Sequence, residues 1–238
     1  MKIVIVLPTF NESQNLRILL ENIKKEVRTA YIIIVDDSYP KESHKIKKIA
    51  SDFQHVEIIT RERKLGRGSA VLDGFRHALQ NKQFRYFVEM DTDLAHDPKE
   101  LIQFYERIRK GGMDLVIGSR YLNASKIVDW PLRRLVMSKI INFFLNLWLG
   151  LNLHDYTNGY RMYTRRAVAY LVKTGLREKN FIALSESAYL LKKQGMRIME
   201  IPITFTDRKH GISSVGSREL FQSLLGAFRI KLRSIIHV

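Results

Sequence analysis

The stretch FRYFVEMDTDLAHDP, residues 84–98, runs from apolar residues directly into two aspartates that are one residue apart. Aspartate is depleted from strand interiors, so we expect a core strand to end just before Asp91 and Asp93. Pro98 suits the first turn of a following helix. The stretch therefore predicts a strand whose end presents two carboxylates, with a solvated turn that caps the helix as the simpler alternative.

Strand and helix patterns alternate through the first half of the chain. Apolar, β-branched runs predict strands at 2–7, 31–37, 56–60, 85–91 and 113–121. Helical spacing of apolar residues predicts helices at 13–27, 43–53, 68–79 and 98–110. This alternation, with short connections, predicts an α/β fold with a mostly parallel central sheet and helices on both faces.

Three of these strand ends carry polar side chains, and ligands of such sheets bind beyond the carboxyl ends of the strands. The ends are residues 8–12 (PTFNE), Asp36 with Asp37, and Asp91 with Asp93. Paired carboxylates are hard oxygen ligands that suit Mg²⁺ or Mn²⁺ bound to a diphosphate. Asp37 could accept an N–H group of a nucleotide base, whereas Asp36 fits a turn.

The charge of the chain is unevenly distributed. The formal net charge is +16, and residues 120–238 hold 20 of the 40 Lys and Arg but only seven of the 24 Asp and Glu. This half should meet an anionic partner, which could be a membrane surface, a phosphorylated substrate or nucleic acid, unless the lysines only keep the protein soluble. The chain has no cysteine, which excludes disulfides and thiolate metal sites.

Two segments of the second half are apolar and helical in pattern, at 130–152 and 219–238. Basic residues accompany both, as in helices that lie in a membrane interface, although packing onto the sheet would explain them equally well. The first is interrupted by Lys139, Asn142 and Asn146, so it does not predict a transmembrane span. We expect a catalytic domain at 1–215 and a C-terminal amphipathic helical extension at 216–238.

No signal peptide is evident, because the first apolar run ends at Pro8. The expected location is therefore the cytoplasmic face of a membrane, with peripheral attachment. A membrane-spanning partner subunit is a further way in which the chain could reach lipid.

Seven segments occur in the order found in family-2 glycosyltransferases, and within that family they resemble the polyprenyl-phosphate (dolichol-phosphate) mannose synthases most. They are VLPTFNESQNL (6–16), IIIVDDSYPKES (32–43), LGRGSAVLDGFRHA (65–78), VEMDTDLAHDP (88–98), GSRY (118–121), DYTNGYRMY (155–163) and EIPITFTDRKHGISS (200–214). The resemblance implies a Rossmann-like, nucleotide-sugar-binding fold of the GT-A type and an inverting transfer.

The resemblance also implies roles for individual residues. The nucleotide-sugar donor would be held by Pro8, Phe10, Glu12, Asp37, Asp91, Thr92, Asp93 and Arg208. Asp91 and Asp93 would bind the Mg²⁺ or Mn²⁺ ion. The acceptor phosphate would be held by Arg120, Arg134 and Ser138, and Asp93 with these three forms the expected catalytic set.

The expected reaction moves a hexose, first of all mannose from GDP-mannose, onto a dolichyl or polyprenyl phosphate. A phosphate is already ionised near neutral pH and can attack without a protein base. Glucose from UDP-glucose is the alternative donor, because one carboxylate can accept from either base. A sugar or protein hydroxyl acceptor would need a base, for which Glu186 and Asp155 are the candidates.

Two other classes of protein fit the sequence less well. A dinucleotide oxidoreductase requires G-x-G-x-x-G after a strand, but PTFNES follows the first strand here. A nucleic-acid-binding protein would interleave aromatic and basic residues on an exposed face, whereas the aromatic residues here lie mainly in apolar runs. We therefore expect no nucleic-acid partner.

Some positions depart from the family or have two interpretations. Lys41 stands where family members commonly have an acid, and Ala95 stands where a polar residue often follows the two aspartates. Ser214 stands where a phosphate-binding lysine is usual. These departures leave the geometry of the metal site and the identity of the donor open. Six further residues could act at the acceptor side or in a loop, or could be purely structural. They are Asp155, Gly159, Arg161, Glu186 and the pair His210 and Gly211.

Overall fold

The computed structural model describes residues 2–178, 180–207 and 225–233. The strands are β1 (Ile3–Thr9), β2 (Tyr31–Asp36), β3 (Val56–Thr60), β4 (Tyr86–Glu89), β5 (Leu115–Ser119), β6 (Lys126–Val128), β7 (Arg161–Thr164), β8 (Ile198–Pro202) and β9 (Thr204–Thr206). The helices are α1 (Ser13–Glu26), α2 (Pro40–Ser51), α3 (Arg67–Leu79), α4 (Leu101–Arg109), α5 (Leu132–Leu149), α6 (Arg165–Thr174) and α7 (Ile182–Lys193). A 3₁₀ turn at Pro98–Glu100 precedes α4, and residues 225–233 are also helical.

Seven strands form one sheet in the order β3-β2-β1-β4-β7-β5-β8. Neighbouring strands are parallel except around β7, which runs antiparallel between β4 and β5. The predicted α/β fold with a mostly parallel sheet is therefore confirmed. β6 and β9 pair in parallel as a separate two-stranded sheet.

The central strands are buried on both faces, as expected for a parallel sheet between helices. In β1, Val4 and Val6 pack into the core that includes α3, whereas Ile3, Ile5 and Leu7 pack into the core that includes α1. Successive side chains of a strand point to opposite faces, so one short segment joins the two cores. This double burial fixes the strand ends from which the polar residues emerge.

Helix α5 and the helical residues 225–233 pack against each other. The indole Nε1 of Trp148 donates to the carbonyl of Ala227 over 2.9 Å, and the rings of Trp148 and Phe228 are 4.3 Å apart. Arg229 donates to both carboxylate oxygens of Glu178, over 2.9 and 2.6 Å. The described part of the C-terminal segment is thus attached to the protein body, while the domain boundary at 215 stays a prediction.

The same two helices expose a row of large apolar side chains. We call these residues the apolar platform: Leu132, Val136, Ile140, Phe143 and Leu147 of α5, with Leu225, Phe228 and Leu232. The spacing of three or four residues places the α5 members on one side of that helix. No helix in the described ranges is long and apolar enough to cross a membrane.

Glu100, in the 3₁₀ turn before α4, is a partly buried acid that should make stability depend on pH. Its Oε1 accepts from the backbone N–H of Thr204 over 2.7 Å, and burial raises its pKa to about 7. Between the ordinary value of 4.5 and about 7, the folded state binds the extra proton, so stability falls as the pH rises. We expect Glu100→Gln to flatten this fall, measured by urea unfolding on either side of that range. Identical pH dependence in the two proteins would contradict the assignment.

Candidate active site

The ends of β1 and β4 meet at the predicted site. Thr92, between the two aspartates, donates from its hydroxyl to the carbonyl of Pro8 over 2.9 Å. This hydrogen bond joins the PTFNE segment to the Asp-x-Asp segment across 84 residues of sequence. Thr92 is buried, so its side chain fastens the two segments together.

A metal ion at the predicted site would have the carboxylate oxygens of Asp91 and Asp93 as its protein ligands. Oδ1 of Asp93 accepts from the backbone N–H of Ala95 over 3.1 Å, which helps to orient the carboxylate. His96 is not a ready third ligand, because its ring nitrogens pair with the N–H of Asp91 and with Asn158. Among the described residues, no three His, Cys, Asp or Glu side chains form a metal cluster. Two carboxylates still fit Mg²⁺ or Mn²⁺, which commonly completes its shell with water and substrate phosphates.

Arg67, at the start of α3, connects this site to the core. Its Nε donates to Asp91 over 2.7 Å, its Nη1 to Glu89 over 2.8 Å, and its Nη2 to the carbonyl of Gly159 over 3.2 Å. Tyr163 also donates to Glu89. Although burial opposes it, the pKa of Arg67 is raised by the charges of Asp91 and Glu89. Arg67 therefore gives Asp91 a fixed cationic partner within the protein.

Gly159 is required by this arrangement, which gives the second prediction. A Cβ at this position would lie 2.7 Å from Cζ of Arg67 and closer still to Nη2. We expect Gly159→Ala to displace Arg67 and to lower the free energy of unfolding by about 1–3 kcal/mol, as for other overpacked sites. Urea unfolding measures this loss.

The matched control for Gly159→Ala removes the Arg67 side chain, which the added Cβ would overlap. In an Arg67→Met background, Gly159→Ala should cost much less than in the wild type, because neighbouring substitutions are not additive. The same cost in both backgrounds would show that the clash with Arg67 is not the cause.

The expected base site at the end of β2 contains an ion pair that the sequence did not reveal. Arg61 donates from Nε and Nη2 to the two carboxylate oxygens of Asp37, over 2.5 and 2.6 Å. Nη1 of Arg61 also donates to Ser69 and Asp73. Arg61 follows β3 and Asp37 follows β2, and these two strands are neighbours in the sheet. The adjacency of their ends is the feature from which this ion pair could be predicted. Asp37 would have to contact a base while it remains paired with Arg61.

Aromatic residues stand beside this ion pair. Phe10 packs edge-on against Tyr39, with ring centroids 5.6 Å apart, and Nζ of Lys64 lies 4.0 Å from the Phe10 ring centroid. Glu12 occupies the residue before α1. The PTFNE segment and the end of β2 therefore place aromatic and charged side chains next to each other on one side of the candidate site.

Arg120, which follows β5, is fixed by Asp155. Its Nε and Nη2 donate to the two carboxylate oxygens over 2.7 and 2.8 Å, and Nη2 also donates to Thr157. Burial would raise the pKa of Asp155, but the charge and hydrogen bonds of Arg120 hold it below its ordinary value. Asp91 is among the acids that raise the pKa of Arg120 against the opposing effect of burial. Asp91 is thus close enough to Arg120 for their charges to interact.

Arg134 and Ser138 lie on the first turns of α5. Nη1 of Arg134 donates to Asp207 over 2.6 Å, and Ser138 accepts a 2.6 Å hydrogen bond from the hydroxyl of Tyr121. Tyr121 follows Arg120 directly in the sequence, so the end of β5 meets this face of α5. Tyr121 therefore links the end of β5 to Ser138, and Arg134 lies one turn before Ser138 on α5.

Other candidate residues have structural contacts. Arg161 is fully buried and donates to the carbonyls of Tyr156, Asn158 and Leu184. Glu186 accepts from the backbone N–H groups of residues 177 and 178, and burial raises its pKa. Lys41 is exposed on α2. Four of the named positions lie outside the described residues: Arg208, His210, Gly211 and Ser214.

A mostly parallel α/β sheet with Asp-x-Asp at a strand end is typical of glycosyltransferases with a GT-A-like fold. The glycosyl transferase family 2 profile matches residues 4–171, and this chain belongs to that family. It is an enzyme of the glycosyltransferase class, and the resemblance that its sequence segments indicated is confirmed.

Two curated relatives have names that refer to polyprenol or to undecaprenyl phosphate. The chain is 31% identical over 223 residues to the polyprenol monophosphomannose synthase of Mycolicibacterium smegmatis, covering 93% of this chain and 83% of the relative. It is 30% identical over 230 residues to the undecaprenyl-phosphate mannosyltransferase of Micrococcus luteus, covering 96% and 93%.

A solved structure shares the fold at low sequence identity. It is the glucosyl-3-phosphoglycerate synthase of Mycobacterium tuberculosis in complex with Mn²⁺, uridine diphosphate and glucosyl-3-phosphoglycerate. The TM-score is 0.68 at 16% identity, over 97% of this chain and 78% of the other. This likeness supports the GT-A-like fold.

Proposed function

We propose that this chain transfers a hexose, mannose from GDP-mannose, to a polyprenyl or dolichyl phosphate with inversion at the sugar. The observation that carries the proposal is the position of Arg120, Arg134 and Ser138. Arg120 interacts electrostatically with Asp91, and Arg134 and Ser138 lie at the start of α5, whose outer side is apolar. A phosphate on a lipid chain matches both features at once.

The names of the two curated relatives support the acceptor and the sugar. One relative is called a polyprenol monophosphomannose synthase and the other an undecaprenyl-phosphate mannosyltransferase. The donor nucleotide rests on the family resemblance, and UDP-glucose is the second donor to be compared. The structural neighbour was solved with Mn²⁺ and a uridine nucleotide, which supports a divalent metal in folds of this type.

The proposed reaction requires no proton transfer by the protein. An oxygen of the acceptor phosphate attacks the anomeric carbon from the face opposite the donor diphosphate. The bond from that carbon to the diphosphate oxygen breaks, and the nucleoside diphosphate leaves with the electron pair. Attack from the opposite face inverts the anomeric configuration.

The roles of the protein groups follow from their charges. Arg120 and Arg134 orient the acceptor phosphate, because guanidinium forks suit phosphate oxygens. Asp91 and Asp93 would hold Mg²⁺ or Mn²⁺, which when bound neutralises charge on the donor diphosphate. Positioning and charge stabilisation then supply the catalysis.

A hydroxyl acceptor is less well supported. It would need a general base, and both acids considered for that role are occupied. Asp155 is paired through both oxygens with Arg120, and Glu186 accepts two backbone N–H groups. This pairing favours an acceptor that is already ionised.

Donor identity can be tested without turnover. Isothermal titration of GDP and UDP in the presence of Mn²⁺ compares the two bases, and omission of Mn²⁺ tests the metal. We expect GDP to bind more tightly and both to weaken without Mn²⁺. Tighter binding of UDP would move the proposal to the glucose donor, and metal-independent binding would remove the metal from donor recognition.

We place the protein on a membrane surface through the apolar platform, at the cytoplasmic face. Arg133 and Lys139 are exposed on the same helix and could contact anionic lipid headgroups. A membrane-spanning partner subunit could occupy the platform instead.

The platform gives the third prediction. Phe143 and Leu147 are 72% and 75% exposed, so glutamate at either position should leave the fold intact. We expect Phe143→Glu with Leu147→Glu to weaken binding to anionic lipid vesicles at least about tenfold, because interfacial binding depends on buried apolar area. Vesicle sedimentation measures the change.

The control for the platform is an apolar residue elsewhere on the surface. Ile18, on α1, is 48% exposed, and Ile18→Glu should bind vesicles like the wild type. Weaker vesicle binding by Ile18→Glu would show that the added negative charge itself weakens binding. No loss for the double variant would exclude lipid contact through α5.

A further inference from the structure

Trp130 lies where the two arginines proposed to hold the acceptor phosphate come together. It precedes α5, separated from it by Pro131 alone. Cζ of Arg134 is 4.2 Å from the centroid of the Trp130 ring, and Cζ of Arg120 is 5.2 Å from the same ring. Trp130 is thus a neutral group that both guanidiniums contact.

The surroundings of Trp130 hold its ring in place. Phe205 of β9 packs edge-on against it, with centroids 5.3 Å apart and planes at 78°. Phe205 also lies 5.3 Å from Cζ of Arg120. The ring therefore connects α5, the loop after β5 and the small sheet of β6 and β9.

The electrostatics explain why a tryptophan would be useful here. Two guanidiniums near one ring repel each other, and each is paired with its own carboxylate, Asp155 for Arg120 and Asp207 for Arg134. The face of an indole ring attracts cations more strongly than the other aromatic side chains do. A shared ring can therefore keep both guanidiniums close while donor groups remain for an anion.

Unused donors also indicate an anionic ligand. The pairing of Arg120 with Asp155 and Thr157 uses Nε and Nη2 and does not involve Nη1. The indole Nε1 of Trp130 is buried and has no hydrogen-bond partner among the described residues. A buried donor without an acceptor is unfavourable, and a phosphate oxygen is a suitable acceptor.

We infer that Trp130 is a positioning residue for the acceptor phosphate. Its ring fixes the orientations of Arg120 and Arg134 so that both guanidiniums can engage one phosphate group. The inference rests on the proposed function and adds to it a residue that determines acceptor affinity. It predicts that Trp130 affects the acceptor and leaves the donor unaffected.

The test compares Trp130→Leu, which removes the aromatic face, with Trp130→Phe, which keeps one. Isothermal titration with a short-chain polyprenyl phosphate gives the acceptor affinity, and steady-state kinetics give separate KM values for donor and acceptor. We expect Trp130→Leu to weaken acceptor binding about tenfold, from the loss of two cation–π contacts. The donor KM should stay unchanged. Trp130→Phe should bind the acceptor more tightly than Trp130→Leu but less tightly than the wild type, because phenylalanine keeps an aromatic face and lacks the indole N–H.

Tyr105→Leu is the matched control, because Tyr105 also has an arginine near its ring, Arg109 at 5.9 Å, but lies on α4. It should bind the acceptor like the wild type. Wild-type affinity in Trp130→Leu would overturn the inference, as would equal losses for donor and acceptor, or no recovery in Trp130→Phe.

The outcomes separate this inference from the proposed function. If the wild type binds polyprenyl phosphate but transfers no hexose to it, the proposed function fails, and the inference still stands on the binding data. If the wild type does not bind polyprenyl phosphate, both are wrong.

Discussion

Asp93→Asn should reduce hexose transfer by about 10²-fold or more, the usual cost of losing one group that stabilises transition-state charge. Asparagine retains a carbonyl oxygen that can accept from the N–H of Ala95, as Oδ1 of Asp93 does over 3.1 Å. The substitution therefore removes a negative charge with little change of shape. Steady-state turnover at saturating donor and Mn²⁺ measures the loss.

Two further measurements show whether the loss in Asp93→Asn comes from metal binding. Circular dichroism should be unchanged, and the affinity for Mn²⁺, measured by electron paramagnetic resonance, should fall. Asp52→Asn, after the end of α2, makes the same change at an exposed aspartate and is a surface control that should retain both properties. Full turnover in Asp93→Asn would remove Asp93 from the catalytic set.

Asp155→Ala should destabilise the protein strongly, because it leaves the buried guanidinium of Arg120 without its carboxylate. Both side chains are almost completely inaccessible, at 7% and 0% exposure. Breaking a buried pair by removing one partner costs about 3–5 kcal/mol. Urea unfolding should show a loss of this size. Expression at 37 °C should also fall, because such a loss is close to the whole free energy of unfolding of a marginally stable domain.

The partner experiment replaces both members of the pair. Arg120→Met with Asp155→Leu should recover much of the stability, since apolar replacement of a buried ion pair is often neutral. Hexose transfer should stay low, because the phosphate-binding guanidinium is gone. Recovery of both properties would make Arg120 a structural residue alone, and a double variant no more stable than Asp155→Ala would show that the charge is not the cause.

The parts of the structure that depend on local sequence could be predicted. The strand before Asp91 and the helix at 130–152 follow from apolar runs, a breaker residue and helical spacing, and these elements are found as β4 and α5. The sheet is mostly parallel because strand and helix alternate, and this too can be read from the sequence.

The parts that depend on distant pairing could not be predicted. β7 has only four residues, RMYT, and becomes a strand because it fits between β4 and β5. Arg67 reaches Gly159 across 92 residues, and nothing near Arg67 in the sequence indicates that contact. The pairing of Arg61 with Asp37 likewise depends on the adjacency of β2 and β3.

The sequence indicates the residue types of the candidate site, but it does not indicate which of these residues contact one another. The sequence indicates the carboxylates at the strand ends and the arginines of the second half as candidates, but it does not indicate which acids pair with those arginines. From its sequence position Asp155 fits an acceptor-side residue or a turn, and in the structure it is the buried partner of Arg120. Charged side chains find partners through the fold, so sequence spacing alone does not reveal which pairs form.

The most direct measurement is transfer of labelled hexose to lipid. The protein would be incubated with Mn²⁺, a short-chain polyprenyl phosphate and, in parallel, labelled GDP-mannose or UDP-glucose, with Asp93→Asn as the negative control. We predict label in the lipid fraction with GDP-mannose, and about 10²-fold less or lower still from Asp93→Asn. If neither donor labels the lipid fraction, although the protein still binds nucleotide in the presence of Mn²⁺, the proposed polyprenyl-phosphate acceptor is contradicted.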